Sequence, residues 1–112
     1  MLSFQRLDVY QRAIELLALT TEIVEELPPG HADRADQTVR SAESVVRNIA
    51  EGSGRWSRPD SSKHFKIARG EAMEVAASLD VLRLRKLVSE ERYSHGERLV
   101  EAVVSMLTKM SL

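Results

Sequence analysis

Cysteine is absent from the 112 residues, which excludes disulfides, thiolate metal sites and cysteine nucleophiles. Proline occurs three times and glycine five times, so breaks in regular structure are few and their positions are informative. Aromatic residues make up 4% of the chain against 43% for all hydrophobic residues, so the core must be aliphatic. No apolar run approaches the ~18 residues that a membrane-spanning helix needs. Met1 to Leu7 holds one basic residue and no stretch resembling a signal peptide. A cytoplasmic protein with no membrane partner is expected. Neither sign of charge dominates, with 16 Lys and Arg against 17 Asp and Glu, net −1. A chain of this length makes a single domain, residues 1–112.

The breaks cluster at Pro28-Pro29-Gly30 and at Gly52, Gly54 and Pro59, with a softer one at Ser89-Glu90-Glu91, which reads as an N-cap followed by first-turn acids. Between them the apolar residues recur every three or four positions. The stripes are Tyr10, Ala13, Leu17 and Val24; Ala35, Val39, Ala42, Val46 and Ile49; Phe65, Ala68, Ala72, Val75, Leu79 and Leu82; and Tyr93, Gly96, Val100, Val103, Leu107 and Met110. No segment alternates with a period of two. Four stripes joined by short connections predict an all-α fold, an up-down-up-down antiparallel four-helix bundle. Its helices are expected at about 8–27, 32–53, 58–88 and 90–111. Ser57, Pro59 and Asp60 read as the capped start of the third helix. Leu16, Ile67, Val81, Leu84 and Leu87 lie off the stripes, and such surplus apolar positions predict self-association.

Charge is segregated along the chain. Residues 1–46 carry a net −4, whereas residues 47–69 carry +4, from Arg47, Arg55, Arg58, Lys63, Lys66 and Arg69 against Glu51 and Asp60. On the third helix Lys63, Lys66 and Arg69 (or Gly70) recur off the core stripe. Arg55 and Arg58 lie in the loop that feeds this helix, and Arg47 lies two turns back on the second. Together they predict a basic corner beside a helix N-terminus, a geometry suited to phosphate. Trp56, the only tryptophan, sits within this block and is placed to stack on a base or pack on a neighbouring subunit. Looped or single-stranded RNA suits the combination. The competing reading is a solvated face paired with Glu43, Glu51 or Glu71, or a module that docks on an acidic protein.

Catalytic readings rest on less. His31, His64 and His95 are preceded three residues earlier by Pro28, Ser61 and Arg92, not by the carboxylates of a Glu-x-x-His metal site; no metal or cofactor is expected. Gly52-Ser53-Gly54-Arg55 follows a helix rather than a strand and lacks a Gly-Lys-Ser/Thr ending. Its expected role is a helix C-cap with glycine in the left-handed region. Arg58 and His64 fit the loose Arg-x5-His spacing of HEPN-type ribonucleases, in which His does acid–base chemistry and Arg holds the scissile phosphate. The leading expectation is nevertheless a binding protein and not an enzyme.

At Asn48-Ile49-Ala50-Glu51-Gly52-Ser53-Gly54-Arg55 the sequence resembles the four-helix-bundle proteins encoded in intervening sequences of bacterial 23S rRNA genes. That family is related to the accessory variability determinant of diversity-generating retroelements. The likeness extends to Leu7-Asp8-Val9-Tyr10-Gln11-Arg12-Ala13, to Gln37-Thr38-Val39-Arg40-Ser41-Ala42, and to the run from Phe65 through Glu74. The resemblance implies a non-catalytic bundle that assembles as a ring-shaped homo-pentamer. In retroelement members it also implies partnership with a reverse transcriptase and nucleic acid. Asn48, Glu51, Gly52 and Arg55 are the signature positions. One turn apart, Asn48 and Glu51 are placed to bond the loop that Gly52 and Gly54 turn.

Overall fold

The computed structural model describes all residues, 1–112. Four helices run α1 Asp8–Glu25, α2 Ala32–Ser53, α3 Arg58–Leu84 and α4 Glu90–Met110, preceded by a single 3-10 turn at Ser3–Arg6. Each helix packs on its neighbours in the order α1–α2–α3–α4, and α4 closes back on α1 with no direct packing across either diagonal. This is the expected antiparallel four-helix bundle, 44 × 24 × 22 Å. No helix is long and apolar enough to cross a membrane.

The helix starts follow from local chemistry. The Ser57 side chain accepts from the Asp60 amide and Pro59 sits in the first turn of α3, while Ser89 accepts from the Arg92 amide with Glu90 and Glu91 behind it. Both hydroxyls satisfy amides that the helix itself leaves unpaired.

The stop of α3 differs from expectation. The helix ends at Leu84, four residues short of 88, with Lys86 in the left-handed region at φ 61°. The Leu87 amide donates to the Leu82 carbonyl at 2.8 Å and the Lys86 amide to that of Arg83 at 3.0 Å, a Schellman closure built without glycine. Leu87 and Val88 continue the apolar pattern because they pack against the core from the turn. Helices α1 and α4 end two and one residues before the expected 27 and 111.

The core stripe of α3 is Phe65, Ala68, Ala72, Val75, Leu79 and Leu82, as the periodicity indicates. The faces of α1 and α2 are rotated from it. Val9, Ala13, Leu16, Leu19, Thr20 and Ile23 face inward on α1, and Thr38, Ser41, Ala42, Val45 and Ile49 on α2. Tyr10, Leu17, Val24, Ala35, Val39 and Val46 flank these faces, half-buried. The buried threonines are tolerated because each bonds its own helix: Thr20 Oγ1 donates to the Leu16 carbonyl at 2.9 Å and Thr38 Oγ1 to that of Arg34 at 2.8 Å.

Candidate nucleic-acid interface

The corner between α2 and α3 is fixed by Gly52 and Phe65. Gly52 is buried, and a Cβ there would lie 2.5 Å from Phe65 Cε1; only glycine lets the end of α2 approach the start of α3 this closely. Gly54, the C-cap of α2, has φ −90° and ψ −3°, so the expected left-handed glycine is not used. Its amide simply continues the helical pattern onto the Ala50 and Glu51 carbonyls. Gly70 faces outward with open space around it.

The signature side chains divide their work. Asn48 does not bond the loop: its amide nitrogen donates to the Ser44 carbonyl at 2.9 Å and to Ser44 Oγ at 3.1 Å. Its Oδ1 is then left to face His64 Nδ1, 3.3 Å away on α3. This contact sets α2 and α3 in register and places Arg47 and Lys63, the adjoining residues, at one level of the bundle. Glu51 reaches into the loop and pairs with Arg55 at 2.9 Å, both side chains about half exposed, a contact worth only tenths of a kcal/mol.

The six cations of the basic block have different surroundings. Arg58 donates to the Leu112 carbonyl at 3.0 Å and Arg69 Nε to Thr108 Oγ1 at 2.8 Å, while Ser62 Oγ donates to the Ser111 carbonyl at 2.8 Å. These three α3 side chains clamp the last turn of α4 and the two residues that follow it, where unpaired carbonyls favour donors and positive charge. Arg58 and His64 are therefore turned to different partners. Arg47, Lys63 and Lys66 are exposed and belong to no ion pair. Trp56, between Arg55 and Arg58, is fully exposed at 102%. Leaving a whole indole in water costs burial energy on the order of 2 kcal/mol or more, and nothing in the chain covers it.

An acidic boundary adjoins this corner and was not anticipated from the sequence. Asp33, Asp36, Gln37, Arg40, Ser41, Glu71 and Glu74 line a wholly polar groove between α2 and α3. Burial pushes the Glu71 carboxyl above its ordinary value, the neighbouring Glu74 adds to this, and a hydrogen bond with Ser44 opposes it. The signal was the i, i+3 spacing of Asp33 with Asp36 and of Glu71 with Glu74, but pairing the two helices needs the fold. No group of three or more His, Asp or Glu side chains is arranged to hold a metal ion.

Among known proteins, the model of one family, described as 23S rRNA-intervening sequence protein, matches residues 5–109. No curated protein matches the chain. The fold is similar to the crystal structure of a protein with unknown function from the S23 ribosomal protein family of Bacteroides thetaiotaomicron. The TM-score is 0.84 at 22% identity, over 92% of this chain and 97% of that one.

Proposed function

The chain belongs to the 23S rRNA-intervening sequence protein family, and on that premise we propose that it is a non-catalytic, homo-oligomeric accessory protein that binds RNA or DNA through the α2–α3 corner. What supports this reading is that Arg47 near the end of α2, and Lys63 and Lys66 in the first turns of α3, are exposed and in no ion pair, and that Trp56 between these helices is fully exposed. Those cations meet phosphates, and the indole stacks on an unpaired base, a contact worth about 1–3 kcal/mol. Arg55 stays paired with Glu51 beside them. Arg58 and Arg69 hold α4 in place and border the site.

Self-association is supported by the rest of α3. Beyond Lys66 its outer face presents Ile67, Gly70, Met73, Ala77, Val81 and Leu84, the last 83% exposed. No other part of the chain covers this stripe. A second copy seated there buries it, and each copy brings another basic corner. Three free cations per chain make a weak site alone, whereas several corners on one strand gain by avidity.

The test is a titration of labelled hairpin-loop RNA with wild type, K63E/K66E and W56A, followed by a denaturing gel. Binding that both variants weaken, with RNA recovered intact, is expected. Equal affinity in all three refutes the corner, and cleavage lost in His64→Ala replaces this reading with a nuclease. In parallel, Val81→Glu/Leu84→Glu is expected to reduce the particle mass in sedimentation. An unchanged mass removes the α3 stripe as the self-contact.

A further inference from the structure

A second groove, between α3 and α4, has the opposite character to the basic corner. Its floor is Ala76, Leu79, Val100 and the ring of Tyr93, its rim is Asp80, Glu97 and Glu101, and its volume is roughly 350 Å³. No lysine or arginine lines it, and none of the three carboxylates belongs to an ion pair. Tyr93 donates its hydroxyl to Asp80 Oδ1 at 2.6 Å. Its phenol is pushed up to about 12, first by that bond and then by Glu97, against an opposing contact with Arg83. The nearby Arg83 is already engaged, bidentate with Glu90 at 3.0 Å and stacked 4.4 Å from the centre of the Tyr93 ring.

We propose that this groove receives an arginine side chain presented by a protein partner. An apolar floor under a negative rim complements a side chain with an aliphatic stem and a charged head. The methylenes lie on Leu79 and Val100, and the guanidinium bridges Glu97 and Glu101. Arginine fits better than lysine because its planar, weakly hydrated fork bonds two carboxylates at once. The volume is at the low end for binding pockets, which suits one anchoring side chain rather than a whole helix laid in a groove. The α2–α3 acidic groove lacks the complement: it has no hydrophobic lining residue and already contains Arg40. Ten residues of α3 separate Lys66 from Ala76, or ~15 Å along the helix, so nucleic acid and a basic protein fit on one chain together. This inference does not depend on the nucleic-acid reading.

The experiment titrates the isotope-labelled full chain with a capped Leu-Leu-Arg-Leu-Leu peptide. Controls are the same peptide with citrulline for arginine, and one with serine for leucine. Shifts centred on Leu79, Asp80, Tyr93, Glu97, Val100 and Glu101 are expected, with affinity reduced about tenfold or more by citrulline and by E97Q/E101Q, since charged hydrogen bonds are worth about 1.5–3 kcal/mol. Both substituted glutamates are exposed, so the fold survives their exchange. K63E/K66E is expected to bind the peptide like wild type, so failure of the nucleic-acid corner leaves this result standing. The proposal is overturned if no shifts occur, if citrulline or E97Q/E101Q binds equally well, or if Asp33, Asp36, Glu71 and Glu74 respond as strongly. It is also overturned if the serine peptide matches the leucine one, or if the groove signals shift on concentrating the protein alone, which assigns the groove to a second copy.

Discussion

Replacing Gly52 with alanine separates a packing requirement from a helix preference. Alanine is favoured over glycine inside a helix by about 1 kcal/mol, so a glycine without a steric task should give a more stable protein when changed. At residue 52 the new methyl falls 2.5 Å from Phe65 Cε1 and 2.8 Å from Cδ1. Phe65 is itself buried and has little room to rotate away. Overpacking of this kind costs about 1–3 kcal/mol. After the helix gain is subtracted, Gly52→Ala should destabilise by about 1 kcal/mol and lower the melting temperature by about 4–8 °C. Gly70→Ala is the control for the single chain, because a Cβ there meets nothing of that chain within 4 Å; it should raise the melting temperature at a dilution where the chain is monomeric. Both are measured by thermal unfolding at one protein concentration, since self-association shifts the midpoint. Stabilisation of both variants alike would refute the argument that Gly52 sets the α2–α3 approach. The same displacement should move Arg47 against Lys63, so Gly52→Ala should also weaken RNA binding.

Three further outcomes are expected. Lys86→Gly should stabilise the chain by about 1 kcal/mol in urea unfolding, because the left-handed backbone at φ 61° costs other residues about 1–2 kcal/mol; destabilisation would show that the lysine side chain supports the turn. Ser57→Ala should cost about 1 kcal/mol through loss of the α3 cap, read by the same assay, and no loss would mean that Pro59 alone starts the helix. In a Tyr10→Phe background the Tyr93 phenol should ionise near pH 12 by ultraviolet absorbance, held up first by Asp80 and then by Glu97. Its folded value exceeds the unfolded one near 10, so this contribution to stability is complete below pH 10 and lost between pH 10 and 12. Asp80→Asn should lower the value, and an unchanged titration would remove the Asp80 bond as its cause.

The bundle was legible because α3 and α4 keep apolar residues at strict helical spacing and because Ser57 and Ser89 announce helix starts. The face of α1 was misplaced where Thr20 lies inside; its hydroxyl is satisfied by the Leu16 carbonyl of its own helix, so a polar residue occupies a core position at little cost. The end of α3 carried no glycine or proline, and Leu87 and Val88 extended the pattern past a turn closed at Lys86. At the candidate site, composition located the basic block but not which cations are free. Arg58, Ser62 and Arg69 meet residues at and just beyond the end of α4, 39–54 positions away, and no local spacing reveals such contacts. The exchange between Asn48 and His64 is hidden for the same reason.

The central claim is that Arg47, Lys63 and Lys66 meet phosphates, and the dependence of affinity on salt counts them. For a short single-stranded RNA that spans one corner, three neutralised phosphates give a slope of log Kobs against log salt concentration of about −2 per chain. K63E/K66E should bind more weakly at low salt, with a slope no steeper than about −0.7. A wild-type slope near zero, or the same slope in both proteins, would contradict the account.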